Sequence, residues 1–252
     1  MKIGVFGAGS IGCYLGGKLV AAGHDVVFIG RFGAEIAAHG LTLTDFTGAR
    51  VELPADRVRY VDDTHASLLA DRDAVLVTTK SSATANAGAV IATALPASSA
   101  CVVVSFQNGV RNADVLRAAL AGRSVLAGMV PFNVVHADNA RFHNGTSGPL
   151  ELERGSSSLA AALQSAGFDV VERDDLRPVQ WSKLLVNLGN AVNALSGLPL
   201  ATQLRDRGDR RIMAALVREG IASLRAEGIE PVRVRKLLPS IAPFALSLPN
   251  WL

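Results

Sequence analysis

The densest chemical signal in the chain is Gly7-Ala8-Gly9-Ser10-Ile11-Gly12, a G-x-G-x-x-G hexapeptide between the apolar run 2–6 and a helix-like stretch at 11–22. In that context Gly7 permits a tight turn, Gly9 lets the backbone approach a pyrophosphate, and Gly12 lets the helix lie against the strand. Ser10 and Ile11 then begin the helix whose N-terminus receives the anion. Taken alone, the same hexapeptide also fits a plain chain reversal. A site that takes NAD usually carries Asp or Glu about 20 residues beyond the glycines, to bind the ribose 2′-hydroxyl. Here Phe28-Ile29-Gly30 leads instead to Arg31. A planar guanidinium suits a 2′-phosphate, which points to NADPH; the bland reading is a solvated arginine at a strand end.

Three further places could carry chemistry. Lys80 follows the expected strand 74–78 and could add a second charge at the same sheet edge, or be an ordinary loop lysine. Gln107-Asn108-Gly109 follows the strand 101–105, again at the carboxyl edge where open parallel sheets bind ligands. An amide there can bond a ribose, a carboxamide or a substrate carboxylate, although Asn-Gly is also a common turn pair. The third is the segment 181–190, an otherwise apolar helical pattern carrying Lys183, Asn187 and Asn190. At about 100° per residue Asn187 lies about 40° from Lys183 and Asn190 about 20° to the other side, one polar stripe on one continuous helix. Such a stripe supplies a proton donor and neutral hydrogen-bond partners; the alternative is a lysine snorkelling at a helix edge.

The elements that must position these residues follow from the patterning. Short β-branched runs at 2–6, 25–29, 74–78 and 101–105 alternate with Ala-rich stretches, the signature of a parallel sheet with crossover helices. Residues 41–60 alternate apolar and polar around Gly48 and predict an inserted hairpin. Further strands are expected at 125–132, 133–136, 141–143, 149–152 and 169–171, with Gly155-Ser156-Ser157-Ser158 as a helix-entry loop. Beyond Asp174-Asp175 the strand signal disappears, and 178–196, 210–228 and 231–238 read as helices. The expectation is therefore an α/β chain: an N-terminal Rossmann-type dinucleotide-binding domain over 1–173 and a second, mainly helical domain over 174–252.

Composition excludes several classes. Of the 252 residues 49% are hydrophobic and 19% charged, too apolar for disorder, and two cysteines are too few for a disulfide scaffold. Cys13 and Cys101 have no metal-ligand spacing, so no metal is expected, and both read as reduced, buried thiols of a cytoplasmic protein. The uncharged stretch 81–110 contains Pro96 and many Ser and Thr, which fits a folded interior and no membrane partner. A formal net charge of +3 permits anionic ligands. The basic runs 205–211 and 233–236 read as solvated helix faces, so no nucleic acid is expected.

Taken in order, Gly7 to Gly12, Arg31, Lys80, Gln107-Asn108-Gly109 and Trp181 to Asn187 resemble the ketopantoate reductases (2-dehydropantoate 2-reductases) of the 6-phosphogluconate dehydrogenase-like superfamily. The resemblance implies that Arg31 and Lys80 hold the 2′-phosphate of NADPH, that Asn108 lies by the nicotinamide and substrate, and that Lys183 is the general acid. It implies Asn187 as a substrate partner. The substrate would be a small 2-keto acid, ketopantoate first, reduced to the pantothenate precursor pantoate; relatives acting on other 2-keto acids share these motifs. Ala191 stands where the family usually has a second Asn, and Asn190 is expected to take its place. The family's later Ser and Glu contacts are not found before Leu252. Cofactor binding without substrate orientation, and pairing of the apolar end 244–252 in a homodimer, are the corresponding expectations. The rival reading is an NADPH-binding sensor without catalysis.

Overall fold

The computed structural model describes residues 1–233 and 238–250. Two compact units divide the chain, Met1–Leu176 and Arg177–Leu252. The division falls slightly later than the expected 173, because the turn after the last strand belongs to the first unit.

The first unit begins with β1 (Lys2–Phe6), α1 (Ser10–Ala21), β2 (Asp25–Ile29), α2 (Gly33–His39), β3 (Leu41–Asp45) and β4 (Arg50–Leu53). It continues through β5 (Arg59–Val61), β6 (Ala74–Val77), α3 (Thr84–Ala94), β7 (Val102–Ser105), α4 (Asn112–Ala119) and β8 (Val125–Met129). Then come β9 (Val134–Ala137), β10 (Arg141–Asn144), β11 (Leu150–Glu153), α5 (Ser157–Ser165) and β12 (Val170–Arg173). The main sheet has the order β12-β11-β8-β7-β6-β1-β2-β5, and its six strands from β8 to β5 are parallel. Strand β11 enters antiparallel to β8, and β12 runs parallel to β11.

The apolar runs that predicted these strands are continuous because both faces of the sheet are covered. Ile3, Val5, Val26, Phe28, Ala74 and Leu76 enter the core on one side, while Phe6, Val27, Ile29, Val75 and Val77 enter the core on the other. Helix α1 has an unusual number of glycines for a helix. They let it fit between two sheets: a Cβ on Gly16 would meet the Phe28 ring, and one on Gly17 would lie 2.8 Å from Leu41. The loss of helix propensity at these glycines, up to about 1 kcal/mol each, is offset by close burial of Phe28, Leu41 and Leu43.

The hairpin expected over 41–60 is shorter than the alternation suggests. Strands β3 and β4 pair antiparallel, but Pro54 ends the run, a 3-10 turn at Ala55–Arg57 redirects the chain, and Tyr60 lies in β5, paired with β2 in the main sheet. The hairpin instead joins a second, four-stranded sheet of order β4-β3-β10-β9. Its β9–β10 turn contains two left-handed non-glycine residues, Asn139 (φ 63°) and Ala140 (φ 50°). Glu35 of α2 holds that turn, accepting from Ala140 N at 2.6 Å and pairing with His136 Nε2. The Ala140 amide, with the His136 ring, keeps the Glu35 carboxyl below its usual range. A carboxyl shifted down in the folded state stabilises above the ordinary glutamate value and loses that contribution as pH falls. Glu35→Gln is therefore expected to cost about 1 kcal/mol at neutral pH and to flatten the acid limb of a stability-against-pH curve. An unchanged acid limb would refute this.

The second unit is helical: α6 (Arg177–Asn187), α7 (Gly189–Ser196), α8 (Leu200–Gln203), α9 (Arg207–Ala226) and α10 (Ala242–Ser247). Leu185 of α6 packs with Val217, Ile221 and Leu224 of α9, flanked by Trp181 and Leu188. Asp206 caps α9, accepting from Asp209 N at 2.9 Å, so that helix starts before the expected residue 210. The single helix expected over 178–196 is interrupted at Leu188, whose N–H is shared between Leu184 O (3.0 Å) and Leu185 O (3.3 Å). Gly189 then lies against Met213, where a Cβ would meet the methionine methyl at 2.6 Å. Of the helix expected over 231–238, residues 231–233 are not helical and 234–237 lie outside the described residues, as do 251–252 of the apolar end. Among the described residues, no helix is long and apolar enough to cross a membrane.

Candidate functional site

The glycine loop leaves β1 next to β6, where the parallel strands diverge to either side and open a crevice at their carboxyl ends. Gly7 adopts φ +82°, and a Cβ there would lie 2.8 Å from Thr79 N, so only glycine fits. The loop is pinned inward. Gly7 N and Ala8 N both donate to Ile29 O (2.9 and 2.8 Å), Thr78 Oγ1 donates to Gly7 O (2.9 Å), and Gly9 N donates to Gly7 O (2.7 Å). The first helical bond of α1 runs from Cys13 N to Gly9 O, which leaves the N–H groups of Ser10, Ile11 and Gly12 at the open end of the helix. No acidic residue occupies that first turn. The end of α1 is thus a positive pole ready for an anion.

The glycines differ in why they are glycine. Gly12 is set by packing, since its Cβ would meet Thr78 Oγ1 and Val5. A Cβ on Gly9 would touch nothing closer than Gly7 O at 3.9 Å, and its backbone (φ −86°) is open to other residues. The fold does not require glycine at position 9; a ligand approaching closely from outside would.

A cleft of about 840 Å³ opens beside the loop, lined by Gly7 and by Gly30, Arg31, Tyr60, Asp62 and His65. Arg31 is exposed at its wall. Asp62 is held below the usual carboxylate range by hydrogen bonds from Thr64 and His65. Lys80 does not line this cleft. It is exposed on the turn after β6, whose neighbour Thr79 does line it. Asn108 is exposed on the turn after β7, and its carbonyl accepts from Ser81 Oγ (2.8 Å) and Asn112 Nδ2 (2.7 Å), so the Lys80 and Asn108 turns are joined. Buried Gln107 braces both, donating to Thr79 Oγ1 (2.9 Å) and Thr84 Oγ1 (2.8 Å) and accepting from Ser105. The sequence singled out Gln107 only as part of a turn; the buried amide is what ties the two loops.

In the second unit Lys183 and Asn187 are half-buried one helical turn apart on α6, about 200° around the helix from Leu185 and so away from α9. Asn190 does not extend their stripe. The interruption at Leu188 puts it on α7, where it is exposed. Asn193 Nδ2 instead bonds Leu198 O and Gln203 Oε1, both at 2.9 Å, and so holds the α7–α8 turn.

Thiol chemistry is disfavoured. Both cysteines are buried and unpaired, and burial pushes Cys101 up to about 12 and Cys13 upward as well, so neither is a thiolate at neutral pH. Among the described residues no His, Cys, Asp and Glu group could hold a metal ion.

Comparison with known proteins gives consistent results. The family model described as ketopantoate reductase PanE/ApbA matches residues 3–157, and its C-terminal counterpart matches residues 175–249. A 2-dehydropantoate 2-reductase of Halobacterium salinarum is 28% identical over 240 residues, covering 91% of this chain and 77% of the relative. The crystal structure of a PanE/ApbA family ketopantoate reductase from Ralstonia eutropha superposes with a TM-score of 0.83 at 33% identity, over 98% of this chain and 79% of that one. A D-mandelate dehydrogenase solved with NADH shares the fold, with a TM-score of 0.80 at 20% identity over 98% of this chain and 79% of that one.

Proposed function

The chain belongs to the ketopantoate reductase family of oxidoreductases, and on that premise we propose that it reduces a 2-keto acid with NADPH, 2-dehydropantoate being the first substrate to test. The observation that carries the cofactor choice is Arg31: an exposed guanidinium lines the cleft beside the glycine loop, where an NAD site would put a carboxylate. The open N-terminus of α1 supports the same reading, as does the space over Gly9.

When bound, the cofactor supplies the hydride. The chain's own groups do the rest. The N–H groups of Ser10, Ile11 and Gly12 hold the pyrophosphate at the positive end of α1. Arg31 pairs with the 2′-phosphate, and Lys80 adds charge from its exposed turn. Asn108, fixed through its backbone, offers its side-chain amide at the sheet's carboxyl edge. We assign to Lys183 the proton that completes reduction, delivered from Nζ to the former keto oxygen, and to Asn187 a hydrogen bond to the substrate. Asn190 is left without a role.

Two expected outcomes check this reading. With NADPH and a panel of 2-keto acids, kcat/KM is expected to be highest for 2-dehydropantoate, and at least tenfold lower with NADH, the scale of one lost charge-assisted contact. A preference for NADH, or the absence of turnover with every keto acid, would overturn the proposal. Gly9→Ala is expected to leave stability within about 1 kcal/mol. The same variant should weaken NADPH binding by about three- to tenfold, because the new methyl holds the phosphates away. Unchanged binding would show that nothing approaches Gly9.

A further inference from the structure

Two loops must agree for the cleft to read a 2′-phosphate, the glycine loop and the turn that carries Arg31, and one hydroxyl touches both. Tyr60 Oη donates to Ala8 O at 2.5 Å and accepts from Phe32 N at 3.2 Å. Its ring stacks on Phe28 with centroids 5.8 Å apart and the two planes nearly parallel, at 5°. Burial raises the phenol far above its ordinary value, so it stays a proton donor throughout the working pH range.

The residues flanking Arg31 are both tied to β5. Gly30 N donates to Val61 O at 3.0 Å, and Phe32 N donates to Tyr60 Oη. The Phe32 ring is held as well, against His136 (4.4 Å) and Phe142 (5.6 Å). Position 30 explains its glycine in the same way, since a Cβ there would overlap Tyr60 Oη and lie 2.9 Å from Ala8 O. On the other side, Ala8 O accepts a second bond, from Cys13 Sγ at 3.4 Å. The carbonyl is thereby held inward while the helix N-terminus faces out.

We propose that Tyr60 is a positioning residue for cofactor selection, its hydroxyl locking the Arg31 turn to the glycine loop so that the guanidinium is presented where a 2′-phosphate arrives. The inference rests on the NADPH reading above. It adds the residue through which Arg31 acts.

The test is equilibrium binding, followed by nicotinamide fluorescence, of NADPH and NADH to the wild type, Tyr60→Phe, Arg31→Ala and the double variant. Tyr60→Phe keeps the ring on Phe28 and removes only the hydroxyl. The ratio of the NADH to the NADPH dissociation constant is expected to fall about five- to tenfold, the scale of a lost hydrogen bond, with NADH itself weakened about twofold or less. In the Arg31→Ala background, Tyr60→Phe is expected to change the ratio no further. Gly30→Ala, which displaces the hydroxyl, should lower the ratio in the same direction. A general folding defect would weaken both cofactors together and leave the ratio alone. If the wild type shows a high ratio that Tyr60→Phe leaves unchanged, or if the losses add in the double variant, Tyr60 has no positioning role while the NADPH reading stands. A wild-type ratio near one would overturn the NADPH reading and this inference with it.

Discussion

Replacing Lys183 by Met should lower turnover by roughly two to four orders of magnitude while leaving NADPH affinity nearly unchanged. Methionine keeps an unbranched apolar stem of similar length on α6, so the packing of Leu185, Trp181 and Leu188 with α9 is undisturbed. What is lost is the ammonium: its proton, and the charge that steadies the developing alkoxide before the proton moves. The expected signature is a fall in kcat with NADPH binding retained. Retained turnover would return Lys183 to an ordinary half-buried lysine. Asn187, one turn further along α6, should behave differently: Asn187→Ala raises the KM of the keto acid more than it changes cofactor binding.

Arg31→Ala should weaken NADPH binding by about 1.5 to 3 kcal/mol, roughly 10- to 150-fold, and barely alter NADH. Arg31 is exposed, so its removal is expected to cost the fold little. That separates a cofactor effect from a stability effect. Equal weakening of both dinucleotides would mean that the substitution disturbs the turn rather than a phosphate contact. Salt offers a second check, because an exposed guanidinium–phosphate pair is screened: the NADPH advantage of the wild type should shrink between low and physiological ionic strength.

Strands β1 and β2 have the bounds that their apolar runs predict, because both are buried on two faces and such runs have little other place to go. The glycine hexapeptide was legible because its strand-loop-helix frame is local; Gly7 and Gly12 are dictated by close contacts with Thr79, and with Thr78 and Val5. Tyr60 was not legible as part of the site. Its strand has only three residues and continues the alternation of the preceding hairpin, and its partner β2 is about thirty positions away in sequence. Only the pairing of β5 with β2 reveals that its hydroxyl reaches Ala8. Asn190 misled for a complementary reason. The 100° rule holds along an unbroken helix, and a shared hydrogen bond at Leu188 followed by Gly189 against Met213 ends α6 before the stripe can continue. The roles of Lys80, Asn108 and Lys183 rest on residue type, on their places in the two units and on the family, and the experiments above address them one at a time.

The central claim is hydride transfer from NADPH to the keto carbon of a 2-keto acid, and isotopic tracing tests it most directly. The chain would be incubated with NADPH carrying deuterium at both C4 positions and with 2-dehydropantoate, and the product analysed by mass spectrometry and proton NMR. The account predicts one deuterium in each molecule of 2-hydroxy acid, located at C2, with NADP formed in equal amount. A product without deuterium at C2, or NADPH that binds and is never consumed with any 2-keto acid, would contradict it.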